Sequence, residues 1–398
     1  MDKKRNKKPT FEFWEVLVIT IVASTIMSLS TGYVVFRSNK IITPTSNKNI
    51  DEFIKSYNNI TSNYYDSINE NALIDAAING MLNYLNDPYT TYLNENNTNI
   101  LTDSLSGTYE GIGIEVGLNE ESKIEIKTVF PDGPSYKVGI MPGDIITKIN
   151  DVDVTEKDTT EAVNIIKSSK EKDIKIELTR NNETINVVVT KQTLYVPNVE
   201  SGFIVEKNKN IGYISIEKFT DTIYEQFNKE LTKLELNNLD ALIIDLRDNT
   251  GGYLSGATKI AELFLEKGKI IYTLENKLSK DTTKDSTEEK REYKVYILVN
   301  NGSASASEIL AGALKHSYGA TLIGTRTYGK GKVQKTSNLS DGTMYKYTSA
   351  KWLMPNGECI DEIGIYPDLN VELSEEYSSN PILENDNQYQ MALYEITK

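Results

Sequence analysis

A multidomain α+β chain is what three features of the sequence predict. Val16 to Phe36 is a run of 21 residues without a charge. Gly107 to Thr193 alternates apolar and polar residues in short stretches, the pattern of half-buried strands. From Ile211 onward, apolar strand-like runs alternate with helical ones, which reads as an α/β layer. The 398 residues are enough for two or three domains at ~150 residues each. A formal net charge of −14 argues against a nucleic-acid partner, because phosphate binding needs clustered Lys and Arg. A single Cys (Cys359) and a single His (His316) exclude an intrachain disulfide, a Cys-based zinc site and any multi-His metal site. No metal or other cofactor is expected.

The elements follow in chain order. Residues 1–13 form a basic tail, with net charge +4 in the first eight residues. Residues 14–36 are expected to be a transmembrane signal-anchor helix. At 1.5 Å per residue the uncharged run spans roughly 30 Å, one bilayer hydrocarbon core. Trp14 and Tyr33 sit near its ends, and the basic tail favours the cytoplasmic side, leaving the bulk of the chain outside the membrane. The alternative is a cleaved signal peptide, for which Ser28-Leu29-Ser30 is a poor cleavage site. Residues 37–48, with Pro44, read as a linker. Residues 49–100 carry helical spacing from Asp51 to Leu85, stopped at Asn86-Asp87-Pro88. Residues 101–192 form the β-rich region, interrupted by one helix at about Thr159 to Ser168. Within it Ile112-Gly113-Ile114-Glu115-Val116 reads as a strand. Residues 193–398 hold the α/β core, in which strands begin at Ile211, Ala241, Val295 and Thr321, and helices at Tyr224, Ser255 and Ser307. The charged stretch Lys277 to Arg291 reads as a mobile surface loop.

Four segments can carry chemistry. Val299 to Ile309 leads a buried strand into a turn of small residues, Gly302-Ser303-Ala304-Ser305-Ala306-Ser307-Glu308, that opens a helix. Such a turn exposes a hydroxyl at the positive end of a helix; equally, it can be a plain serine N-cap. His316 cannot serve as its base, since eleven residues of helix separate it from Ser305 by ~16 Å; it reads as a helix C-terminal residue. A neutral Lys can replace His. Gly329-Lys330-Gly331-Lys332-Val333-Gln334 offers Lys330, with Lys332 as a competitor, or else an ordinary solvated turn. Lys330 must be desolvated to act as a base. Asp248-Asn249-Thr250-Gly251-Gly252 ends a buried strand, either as a simple turn or as a source of N–H groups for an oxyanion. It lacks the Gly-Lys-Ser/Thr ending of a phosphate loop. Tyr109-Glu110-Gly111-Ile112-Gly113-Ile114 is either a glycine turn or a cradle for a chain-terminal carboxylate, with the peptide added to the sheet as a strand.

In order and spacing, these segments resemble the carboxyl-terminal processing proteases, the tail-specific serine proteases, over nearly the whole chain from Phe53. The resemblance includes Asn86-Asp87-Pro88-Tyr89, Pro142-Gly143-Asp144-Ile145-Ile146, Pro355-Asn356-Gly357 and Gly364-Ile365-Tyr366-Pro367-Asp368. It implies a PDZ-like domain over 101–192 and a ClpP/crotonase-like α/β protease core over 193–398. It implies that Ser305 is the nucleophile, Lys330 the general base and Gln334 the residue that orients it, with Gly251 and Ala306 amides as the oxyanion hole. Gly111, Ile112, Gly113 and Ile114 then hold the substrate carboxylate. Two residues depart from the usual pattern: Thr250 stands where Pro is usual, and Lys332 where a small or uncharged residue is usual, a second cation that would lower the Lys330 pKa further.

The implied activity is a serine endopeptidase that binds the C-terminal tails of extracytoplasmic proteins through the PDZ-like domain, which also gates it. The partners are protein or peptide substrates with free C-termini, the membrane through the N-terminal helix, and a second copy of the chain, since some relatives are dimers. Two other readings compete: a membrane-tethered scaffold with an inactive core, and a Ser-Lys hydrolase of small esters or amides. The His and Cys counts exclude a metalloprotease.

Overall fold

The computed structural model describes residues 47–131, 133–339, 342–380 and 382–398. The basic tail, the expected membrane anchor and nearly all of the linker lie outside the described residues. Among those described, no helix is long and apolar enough to cross a membrane. The described residues divide between Ile78 and Asn79 into two compact units.

In the first unit, helix α1 (Lys48–Asn63) starts where the Asn47 side chain accepts the Asn49 N–H. A second helix, α2 (Glu70–Tyr84), begins in this unit, and Tyr57 Oη donates to Glu70 Oε2 at 2.8 Å. The expected continuous helical stretch is therefore broken at 64–69. No residue of α1 is buried; Ile50, Phe53, Ile54 and Ile60 are all exposed along it.

In the second unit the chain passes through strand β1 (Thr91–Leu93) and helix α3 (Glu95–Ser106). It enters the β-rich domain on β2 (Thr108–Gly111) and leaves it on β9 (Gln192–Tyr195); the two pair antiparallel as a ribbon. Between them lies a sheet of β3 (Ile114–Leu118), β4 (Ile124–Val129), β5 (Ile145–Ile149), β7 (Asp173–Arg180) and β8 (Glu183–Thr190), with short β6 (Val152–Asp153) beside β5. Short helix α4 (Pro134–Lys137) follows β4. Helix α5 (Thr159–Ser168), started by a capping box between Asp158 and Glu161, buries Ala162 and Ile166 against Ile146 and Ile149. The expected strand 112–116 is two elements. Ile112 and Gly113 form the turn between β2 and β3, because Gly113 takes φ +77, which a strand does not allow.

The core sheet runs β10 (Val199–Glu206), β11 (Lys209–Ile216), β12 (Ala241–Asp245), β15 (Lys294–Val299), β16 (Thr321–Gly324), β19 (Leu369–Asn370). All pairs are parallel except β10–β11. Both faces are covered, which is why β12 reads as an apolar run up to Asp245. Helices α6 (Ile223–Glu235), α7 (Leu254–Glu262) and α8 (Ala306–Ala313) pack on Leu242, Ile244, Ile297 and Val299. On the opposite face, α10 (Asn387–Thr397), after short α9 (Glu375–Ser379), packs Tyr389, Ala392 and Leu393 on Ile243, Tyr296 and Leu298. A second antiparallel sheet holds β1, β13 (Ile270–Glu275), β14 (Lys280–Lys284), β17 (Lys332–Asn338) and β18 (Met344–Leu353). The stretch 277–291 is therefore no loop. It contains β14, paired with β13, and Arg291, which donates to Glu235 and to the Leu263 carbonyl. Its polar composition hid a hairpin whose stability comes from β13.

Candidate active site

The site forms where β12 and β15 end. Asn249 and Asn300 bind the two strand-end turns to each other. Asn300 Oδ1 accepts the Asp248 and Gly302 N–H groups, and its amide donates to Asp248 Oδ1. The Asn249 carbonyl accepts the Ala304 N–H and the Ser307 hydroxyl, at 3.0 and 2.8 Å, while its amide donates to the Ile216 carbonyl.

This frame separates the three serines of the turn. Ser303 and Ser307 are fully buried, and their hydroxyls donate to the carbonyls of Leu246 and Asn249. Ser305 is half-buried, its hydroxyl donates to no group among the described residues, and its backbone sits at φ 57, ψ −113. A non-glycine residue in that region is strained by roughly 1–3 kcal/mol, and strain of this kind concentrates at functional positions.

Glu308 joins Ser305 to the lysine segment. Its fully buried carboxylate accepts the Ser305 N–H (2.9 Å) and the Lys330 N–H (2.9 Å) on Oε2. Oε1 takes the Gly329 N–H (2.7 Å) and the Thr327 hydroxyl (2.6 Å). Burial pushes this carboxyl above the ordinary Glu range, against the pull of all four donors. Sequence reasoning gave Glu308 only a place in the first helical turn. Its bridging role had no local signal, since Lys330 lies 22 residues away.

Lys330 is half-buried. Burial, and then the cation of Lys346, lower its pKa, with Glu308 opposing. The cation expected to do this was Lys332. Folding instead directs Lys332 to Asp361, at 3.6 Å, and brings Lys346 across from β18. Gly331 lets the segment run against 360–364: a Cβ there would lie 2.6 Å from the Asp361 backbone nitrogen. No hydrogen bond joins Lys330 Nζ to Ser305 Oγ. The Gln334 amide donates to the Lys332 carbonyl at 3.2 Å and not to Lys330.

Gly251 does reach the serine turn. At φ +100, a Cβ on it would meet Ser305 Cβ at 2.9 Å and the Ala306 nitrogen at 3.0 Å. In this arrangement the Gly251 N–H donates to Asn249 Oδ1 (2.9 Å), so of the two amides assigned to an oxyanion only that of Ala306 has no partner among the described residues.

In the β-rich domain, Gly111 to Ile114 line an apolar groove with Val116, Ile146 and Ile149, closed by Ala162, Val163 and Ile166 of α5. The Ile112 and Gly113 carbonyls are taken by Ser135 and Phe130, while their N–H groups have no partner among the described residues. Such a pair of free N–H groups at the end of an apolar groove suits a carboxylate.

Comparison with known proteins follows the same division. The profile of Peptidase family S41 matches residues 210–371, that of a PDZ domain residues 101–179, and that of the "Activating protease CtpB N-terminal domain" residues 29–97. The chain is 36% identical to the carboxy-terminal processing protease CtpA of Bacillus subtilis, over 95% of this chain and 80% of that protein. It is 31% identical to a probable CtpA-like serine protease of Staphylococcus haemolyticus, over 98% and 78%, and 33% identical to one of Staphylococcus aureus, over 95% and 76%. The crystal structure of a putative S41 protease from Bacteroides fragilis shares the fold, with a TM-score of 0.51 at 15% identity over 84% of this chain and 98% of that one. The chain therefore belongs to the carboxy-terminal processing proteases of peptidase family S41, and is a serine peptidase with a PDZ domain.

Proposed function

We propose that the chain is a Ser-Lys endopeptidase that cleaves extracytoplasmic proteins at their C-terminal tails. The observation that carries this reading is the Glu308 carboxylate, which grips the backbones of Ser305 and Lys330 together. Ser305 Oγ attacks the scissile carbonyl and neutral Lys330 accepts its proton. The oxyanion rests on the Ala306 amide and, once it leaves Asn249, on that of Gly251. Protonated Lys330 then gives its proton to the leaving amine, and water releases the acyl group. Gln334 orients the amine after leaving the Lys332 carbonyl. The tail lies along β3, its carboxylate on the Ile112 and Gly113 N–H groups, with Gly111 and Ile114 shaping the turn.

Gating by the PDZ domain is part of the same reading, and a bonded route supports it. The β2–β9 ribbon continues into Gly107, whose carbonyl accepts the Val196 N–H, and into Leu105, whose carbonyl accepts the Asp221 N–H. Two residues before Asp221, Phe219 bonds both sides of the Gly251-Gly252 turn: its N–H donates to the Gly251 carbonyl, and its carbonyl accepts from the Tyr253 N–H. A tail bound along β3, its carboxylate on the turn at the end of β2, thus acts on the segment that holds Gly251. The Gln334 amide on the Lys332 carbonyl and the Gly251 amide on Asn249 are the resting arrangement in this account. The membrane anchor at 14–36 and a homodimer built on the exposed apolar face of α1 complete the proposal.

The test compares the full chain with Ser305→Ala and Lys330→Ala on an unstructured peptide with a free or an amidated C-terminus, read by mass spectrometry. Both variants should lose activity by about a hundredfold or more, and the amidated peptide should be cut more slowly. Full turnover by either variant would remove the dyad. Tight binding of the free peptide with no turnover by the parent would favour a scaffold.

A further inference from the structure

The Asn86-Asp87-Pro88-Tyr89 segment, which the catalytic scheme leaves without a task, delivers an aromatic ring to the base. Lys330 Nζ lies 5.2 Å from the centre of the Tyr89 ring, and Lys332 Nζ lies 5.6 Å from it. Both distances are within the range where a ring face attracts a cation. Tyr89 is firmly held. Asp87 Oδ2 accepts the hydroxyls of Thr90 and Thr348, each at 2.6 Å, and Thr90 Oγ1 accepts the Thr348 N–H. Thr348 is the β18 residue paired with Gln334 of β17. The turn that carries Tyr89 is therefore pinned to the strand pair that carries Gln334.

We propose that Tyr89 is a positioning residue for Lys330: its ring receives the lysine ammonium in the resting arrangement and holds it away from Ser305, and Lys330 becomes a base on leaving the ring. This rests on the reading of Lys330 as the general base. Among the described residues no hydrogen bond or ion pair holds the amine, and neither Ser305 nor Gln334 bonds it. Lys346 and Glu308 act on Lys330 with opposite signs. Tyr328, Asp361 and Asp87 face the Tyr89 hydroxyl and favour its protonated form, after burial, so that the ring remains a neutral cation acceptor. Lys332, on the same ring, is neutralised by Asp361.

The test uses the purified full chain with 13C-lysine labelling, the Lys330 signal being assigned by its loss in Lys330→Arg. Tyr89→Phe keeps the ring; Tyr89→Leu keeps apolar cover without a π face. The Lys330 pKa in Tyr89→Leu should lie about 0.5 to 1.5 units below that in Tyr89→Phe. Turnover of the amidated peptide should rise roughly two- to fivefold in Tyr89→Leu, since the contact that parks the amine is gone. The same Lys330 titration in both variants overturns the proposal, and so does a loss of melting temperature and turnover with no change in titration, which is what simple packing would give. Lys330→Ala with the parent's turnover would instead refute Lys330 as the base. The titration would still report whether the ring holds the amine.

Discussion

Replacing Glu308 by Leu tests whether one carboxylate holds the nucleophile turn and the base segment in register. The Leu side chain fills similar space and accepts nothing. Three backbone N–H groups and the Thr327 hydroxyl lose their acceptor. Each polar group left without a partner and out of reach of water costs about 1–3 kcal/mol. The Gly329 N–H and the Thr327 hydroxyl are buried in this way. Relief of the carboxylate's own burial offsets part of the loss, and the net cost is about 3 kcal/mol. For the unit 79–398 that corresponds to a melting temperature lower by roughly 4–6 °C. Activity should fall much further than stability, because Ser305 and Lys330 are no longer fixed to a common point and small displacements are costly in rate. Glu308→Gln should be milder in both respects, since its remaining oxygen still accepts two of the four donors. Calorimetry and peptide turnover on the three proteins give the ranking. Parental stability and turnover in Glu308→Leu would refute the argument.

Two further outcomes follow from the geometry. Gly251→Ala should abolish turnover, because its Cβ would fall 2.8 Å from the Ala304 carbonyl and 2.9 Å from Ser305 Cβ, at a φ of +100 that side chains avoid; cleavage kinetics on a folded variant check this. Asp144, 1% exposed, is ion-paired with Arg180 and accepts the Met141 N–H. Burial works against its charge, but the Arg180 hydrogen bond and the Met141 N–H outweigh that and hold the carboxyl below the ordinary Asp range. Its contribution is therefore present above an unfolded pKa of about 4 and is lost as pH falls through the lower folded value. Because Arg180 is partly exposed, Asp144→Asn should cost about 1.5–3 kcal/mol at neutral pH and flatten the acid limb of stability, measured by denaturant titration at several pH values.

Periodicity carried a reader a long way in two regions. The helix at Thr159–Ser168 has the limits its capping residues imply, and the strands and helices read from Ile211 to Gly324 reappear with ends moved by up to three residues, while β13, between two of them, had not been read. Apolar spacing is a local record of which faces are buried, so it survives in one dimension. It failed where burial is slight or shared. The polar β14 is held by its neighbour, and β17 and β18 pair through mixed side chains with no clean alternation. The glycines beside Lys330 announced a close approach, and folding supplied the partner, Asp361.

Motif order was enough to recognise the family and to nominate Ser305 and Lys330. It could not rank the three serines by their hydroxyl partners, nor tell Lys346 from Lys332 as the neighbouring cation, nor give Glu308 and Tyr89 anything to do. Those are facts of juxtaposition: Tyr89 meets a lysine 241 positions further on, because two carboxylate-accepted hydroxyls fix its turn to a strand formed far along the chain. Hydrogen bonds and charge interactions act over a few ångströms, and only the folded backbone brings groups so distant in sequence within that range.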